Sequence, residues 1–237
     1  MSTLPALFYR LVTTAADFRA VLAEEDLATP VPSCPGWNLG LLGGHLGGVY
    51  RFATAGIVDK VALNVEDAPD LGGREALLEW FDTGWSAVST ALREHPWDEE
   101  CWNFGPKPRT VAFWVRRQCH ETVIHLWDAC VAVGSPAHID KVIALDGIDE
   151  VLTMFLPRQL RMQRIAPLGD RVRLAVPGGP SYVVGGEDGA EASATITATA
   201  DALLLLLYRR LTAEADSIMI NGDEAAARRV LATELTP

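Results

Sequence analysis

The sequence is poor in cysteine: Cys34, Cys101, Cys119 and Cys130 are four in 237 residues, and no two form a Cys-x-x-Cys pair. A disulfide framework of the kind that staples small secreted domains is therefore excluded, and the four read as reduced thiols. Long apolar runs are missing too. No stretch reaches about 18 apolar residues, and Met1 to Arg10 lacks a basic segment followed by an apolar one, so no membrane partner is expected and the chain reads as soluble and cytoplasmic. Nor is there a Lys/Arg-rich run to offset a formal charge of −11. Phosphate backbones would be repelled, so nucleic acid is not an expected partner. Internal repeats and low-complexity segments are absent as well. What remains is an apolar fraction of 49% and a mean hydropathy of +0.14, those of a globular protein with one large core or two modest ones.

Leu7, Leu11, Ala15, Phe18 and Leu22 recur at three- and four-residue steps, which predicts a first amphipathic helix. Pro30, Pro32, Pro35 and Gly36 break the pattern and predict an ordered loop from Ala28 to Trp37. Asn38 can cap a second helix with Leu39, Leu42, Leu46 and Val49 on one side. That helix also holds Gly40, Gly43, Gly44, Gly47 and Gly48. Each costs up to about 1 kcal/mol relative to alanine, so close packing around His45 is the expected compensation. A polar, poorly patterned stretch leads to Gly72-Gly73, and Glu75 to Glu94 predicts a third helix. The aromatic, Pro/Gly-rich loop from Trp97 to Pro108 either covers a site or plugs the end of a bundle. Thr110 can cap a fourth helix that stops at Gly134-Ser135-Pro136.

Within that fourth helix Glu121 and His125 stand four apart, on one face. From spacing alone they read as an ordinary carboxylate and core or surface histidine, since the pattern recurs by chance. They can instead grip a metal if a third ligand exists, and His45 is the best candidate. His120 and His125 are five apart and diverge by roughly 140°, so the metalloprotease arrangement is excluded. Asp128 could accept a hydrogen bond from the His125 ring, or pair with a cation such as Arg116 or Arg117.

Beyond a further helix over Val142–Leu160 the pattern changes. Arg171–Val176, Tyr182–Val184, Ser193–Ala198 and Ile218–Ile220 predict strands, Asp201–Leu211 an apolar helix and Asp223–Leu235 a last helix. Helices followed by strands predict an α+β second domain, with residues 1–140 forming the first domain and 141–237 the second.

Three motifs in order, Val31-Pro-Ser-Cys-Pro-Gly-Trp37 leading into Leu41-Leu-Gly-Gly-His45, His120-Glu121-x-x-x-His125-x-Trp-Asp128, and Ala200–Arg210 followed by Asn221-Gly-Asp223, resemble the mycothiol-dependent maleylpyruvate isomerase family. The resemblance spans nearly the whole chain. It implies an all-α DinB-like four-helix bundle followed by an α+β sterol-carrier-like domain. It implies His45, Glu121 and His125 as ligands of zinc, with Asp128 behind them, and mycothiol as a thiol cosubstrate acting on a small electrophilic substrate. Arg210 matches the family's catalytic arginine. The family usually has glycine just before it, where this chain has Arg209, so which of the two faces the site is open. Cys34 reads as structural in its loop.

Two imidazoles and one carboxylate leave zinc an open position, the mark of a catalytic site. The expected function is thus thiol-dependent isomerisation or S-transfer. The reading of a different class is a non-catalytic metal- or ligand-binding regulatory module.

Overall fold

In the computed structural model, which describes residues 3–65, 72–187 and 189–236, four long helices come first: α1 Leu4–Glu24, α2 Leu39–Val58, α3 Arg74–Glu94 and α4 Val111–Ala132. The polar stretch before Gly72 lies in part outside the described residues. The periodic apolar residues of α1 are all buried, as a stripe facing a bundle core requires. Asn38 caps α2, its side-chain oxygen accepting from the Leu41 amide at 2.9 Å. Thr110 stands at the cap position of α4, but its hydroxyl makes no capping bond. Loop carbonyls act in its place. Val111 donates to Glu99 and Ala112 to Trp97, so these orphan amides of the first turn are satisfied without it.

Small residues set the approach of α2 to its neighbours. A Cβ built on Gly84 of α3 would lie 2.6 Å from the Gly47 carbonyl, and one built on Gly47 would lie 2.6 Å from the Trp80 ring. Trp80 Nε1 donates to the Gly44 carbonyl at 2.9 Å, and the Arg51 guanidinium lies 3.6 Å over the Trp80 ring. The glycines that weaken α2 as an isolated helix thus let it dock closely on α3, along the turn that carries His45. Against α4 it runs antiparallel: Tyr50 meets Thr122 across a 3.0 Å hydrogen bond, and Gly56 abuts Trp114.

The aromatic loop after α3 plugs the bundle. Trp102 takes the Gly56 carbonyl with its amide at 3.0 Å, and its own carbonyl accepts from Trp114 Nε1 at 2.8 Å. Gly56 is eleven residues beyond His45 on α2, about 16 Å along the axis, so this loop does not cover the histidine.

The described chain divides into two compact units between His138 and Ile139. In the second, α5 Lys141–Glu150 passes through a π-helical turn, Val151–Phe155, into α6 Leu156–Arg161. The wider turn precedes Pro157, which has no amide to give and whose ring crowds the carbonyl of a regular turn. Strands β1 Val172–Ala175, β2 Ser181–Val184, β3 Ala194–Thr197 and β4 Met219–Gly222 form a mixed sheet in the order β2-β1-β3-β4. Only β1 and β3 pair in parallel. Val172, Leu174, Ala194 and Ile196 alternate inward. The helices are α7 Ala200–Leu207 and α8 Glu224–Leu231.

Both helices are shorter than the sequence predicts. Helix α7 stops at Leu207 because Arg209 takes φ 60°. Its amide bonds to Leu206, and the Arg210 amide bonds to Leu205 at 2.7 Å, a paired closure that ends a helix with one left-handed residue. Helix α8 ends at Leu231, and Leu235 packs separately as a buried side chain. The architecture is otherwise the expected one, a four-helix bundle and an α+β domain.

The α2–α3 contact predicts an asymmetry between glycines. Alanine at a helix interior normally gains about 1 kcal/mol over glycine, yet Gly84→Ala is expected to lose about 1–2 kcal/mol because backbone must move to admit the methyl. Gly40→Ala, whose Cβ meets nothing closer than 3.3 Å, should leave stability unchanged or raise it. Urea denaturation of the two variants measures the difference.

Candidate metal centre

Midway along α4, one turn of helix puts Glu121 and His125 on the same side, and α2 brings His45 across to them. His45 Nε2 lies 3.3 Å from Glu121 Oε1, and His125 Nε2 lies 3.3 Å from the same oxygen. The two imidazole rings meet edge to face, 5.2 Å between centroids. One ligand atom from each residue falls within 4.8 Å of the others. Both rings thus turn a nitrogen toward one carboxylate oxygen, which is the donor set a borderline cation such as zinc accepts.

The supports of this group are as specific as the group itself. The second ring nitrogen of His125, Nδ1, sits 2.9 Å from Asp128 Oδ2. Asp128 is fully buried, and its other oxygen accepts from Ser33 Oγ at 2.6 Å. The same carboxylate therefore orients the imidazole, leaving Nε2 for the group, and pins the Pro-rich loop. That loop is closed by amides of Cys34 to Val31 and Trp37 to Cys34, with Gly36 at φ 85°, a conformation glycine adopts without steric cost. It delivers Trp37 edge-on to His45, 5.0 Å between centroids. On the far side of Glu121, Arg117 donates to Oε2 at 3.0 Å.

The charges follow from these contacts. Burial would push the Glu121 carboxyl up, but hydrogen bonds from His125 and His45, with the charge of Arg117, hold it well below the usual carboxylate range. Burial likewise disfavours a charged His125, yet its bonds to Asp128 and Glu121 outweigh that and raise its pKa to about 9. Without a metal the cluster is a partly buried hydrogen-bonded network, with 28% of the His45 side chain and 22% of the Glu121 side chain exposed, and a cation could take His125 Nε2 only in its unprotonated form.

Of the residues singled out in the sequence, His45, Glu121, His125 and Asp128 come together. His120 is buried but belongs to neither of the ligand groups found among the described residues. Arg210 lies in the second unit, half-buried, with Nη1 donating to the Tyr208 carbonyl at 3.0 Å. Arg209 is exposed and paired with Glu234. Ser33 and the Arg117–Glu121 contact went unread in the sequence. The four-residue step between Arg117 and Glu121 could have shown the second, whereas nothing local ties Ser33 to a residue 95 positions away.

A second group, Cys34, His125 and Asp128, also comes within ligand distance, with Cys34 Sγ 3.6 Å from Asp128 Oδ2. It shares His125 with the first group. Because Asp128 already serves Ser33 and His125, the His45 group is the better donor set.

A four-helix bundle with a two-histidine, one-carboxylate cluster between its second and fourth helices, followed by a mixed-sheet α+β unit, defines the class as a two-domain protein with a helical N-terminal and an α+β C-terminal domain. Family models narrow this. Residues 8–130 match the mycothiol maleylpyruvate isomerase N-terminal domain, and residues 143–229 match the C-terminal domain of the same family. The chain belongs to the mycothiol-dependent maleylpyruvate isomerase family. Two solved structures of a mycothiol-dependent maleylpyruvate isomerase share the fold: a histidine-to-alanine mutant at TM-score 0.69 and 12% identity, and a second at 0.63 and 14%. Each comparison covers 93% of both chains. Among curated proteins none matches the sequence.

The two ligand groups make opposite predictions. After loading with zinc and desalting, His45→Ala and His125→Ala should each lose about one equivalent of metal by elemental analysis, while Cys34→Ala keeps it. Loss in Cys34→Ala with retention in His45→Ala would assign the other group.

Proposed function

We propose that the chain is a cytoplasmic, zinc-dependent enzyme that uses mycothiol, a low-molecular-weight thiol, for isomerisation or S-transfer in the manner of maleylpyruvate isomerase. The observation that carries this reading is the convergence of His45 Nε2, His125 Nε2 and Glu121 Oε1, with Asp128 fixing the His125 ring. Family membership supports it independently.

His45, Glu121 and His125 would hold the ion, and Asp128 would keep His125 in the tautomer that offers Nε2. Zinc bound there supplies the Lewis acidity that keeps a thiol deprotonated at neutral pH. Three protein ligands leave room for an exogenous group, so the chain itself need not provide the nucleophile. On maleylpyruvate the thiol sulfur adds to the activated double bond, the bond that is now single rotates, and elimination returns the thiol and releases fumarylpyruvate. On another electrophile the same addition, without elimination of the thiol, would be S-transfer.

Arg210 is the residue assigned to bind a substrate carboxylate, as a planar guanidinium does with two parallel hydrogen bonds. Arg209 occupies the left-handed turn and pairs with Glu234, and Arg210 is the position that matches the arginine of the family.

Turnover of maleylpyruvate is expected to require both metal and mycothiol. Arg210→Ala should lower kcat/KM on the order of 100-fold, and Arg209→Gly should retain it. Mycothiol should also add a sulfur-to-metal charge-transfer band to the cobalt-substituted protein. If the spectrum does not respond and no electrophile turns over, the chain is a binding module and the enzymatic reading fails.

A further inference from the structure

Glu121 has two carboxylate oxygens and they face different partners. Oε1 lies between the two imidazoles, while Oε2 accepts from Arg117 Nη2 at 3.0 Å. Arg117 is one turn back on α4, and its side chain is only 4% exposed. A buried guanidinium beside a cation site is electrostatically unfavourable. It lies close to where a second positive charge would sit, and desolvating it costs several kcal/mol unless it is paired. A residue selected simply to strengthen cation binding would not be an arginine. Its position makes sense if what it provides is control of the carboxylate.

From this geometry we infer that Arg117 is a positioning residue, one that keeps Glu121 a ligand through Oε1 alone. A carboxylate free at both oxygens can swing or bind a metal through both. With Oε2 held by a fixed donor, Glu121 offers one oxygen, and the position the other would have taken stays open for an exogenous thiol. The guanidinium also withdraws charge from the carboxylate, so the ligand set neutralises less of the bound cation's charge. This inference rests on the metal reading above and adds the means by which one position of the site is kept open.

The test uses cobalt as the probe, in the full chain, with Arg117→Met and Arg117→Lys beside wild type. Methionine keeps length without a donor; lysine restores a charged donor. Arg117→Met should tighten cobalt binding about 10-fold in chelator competition, because it takes a positive charge from beside the cation and frees the second carboxylate oxygen to bind. Its visible cobalt absorption should fall in intensity, as expected when a second carboxylate oxygen raises the coordination number, and mycothiol should perturb the spectrum less than in wild type. Arg117→Lys should bring affinity and spectrum most of the way back to wild type. A lowered melting temperature in Arg117→Met with wild-type metal affinity and spectrum would overturn the inference, leaving Arg117 a structural ion-pair partner. So would failure of lysine to restore either readout while both variants remain folded by circular dichroism. If wild type itself takes up no cobalt, the functional reading falls first and this inference with it.

Discussion

The carboxylates of α4, one buried and one partly so, are the constraint on which the rest of the bundle depends. Glu121 and Asp128 flank His125 at four residues before and three after, Asp128 fully buried and Glu121 with 22% of its side chain exposed. Each such charge costs several kcal/mol unless it is paired and hydrogen-bonded. No single element can supply the partners. Arg117 and His125 come from α4 itself, His45 from α2, and Ser33 from the loop before α2. A bundle that let α2 drift outward, or the loop fray, would leave a carboxylate half-satisfied. The polar cluster therefore specifies the arrangement of the helices as much as the helices position the cluster.

That dependence accounts for the glycines of α2. A helix with this many is weak in isolation, and a strand-like or frayed segment would serve as well if only hydrophobic burial mattered. Removing the Cβ at 47, facing Trp80, and at 84, facing Gly47, brings α2 and α3 into near-backbone contact, and Trp80 and Arg51 lock the crossing. With that side fixed, the opposite side of the same turn presents His45 to α4. The far end is fixed differently, by Trp102 and Trp114 packed on Gly56. Two anchors, one on either side of Tyr50, leave α2 little freedom to slide.

Much of this was legible in the sequence because it is local. Helical periodicity marked α1 to α4, Asn38 announced its cap, and alternation marked β1 and β3. Glu121 and His125 were visible as a pair, and His45 as their complement. The contacts that turn a pair into a site were not visible in that way, since Ser33 to Asp128 and His45 to Glu121 bridge 95 and 76 positions. The misjudged details share a different cause. Thr110 is a good capping residue, but loop carbonyls reached the amides first. The run from Asp201 to Leu211 is apolar enough to continue as helix, but apolarity does not set where a helix ends; the backbone at Arg209 does.

Arg209 also shows how a departure from a family pattern can be small in structure. At φ 60° its backbone lies in the region where glycine is at ease and other residues are strained by about 1–3 kcal/mol. The two amide bonds that close α7 need that conformation, whichever residue supplies it. Arginine meets the requirement with strain, and its exposed pairing with Glu234 offsets at most about 1 kcal/mol of it. The substitution therefore changes the stability of the turn rather than its path. Because the path is kept, the residue after the turn leaves α7 in the direction a glycine would have given it, and the side chain at 210 does not inherit a new role from the change at 209. The same reasoning bears on two adjacent arginines in a chain of net charge −11, because the helix end accounts for only one of them. Arg209 closes α7 and meets Glu234; Arg210, turned back to the Tyr208 carbonyl, has a side chain that this closure does not require.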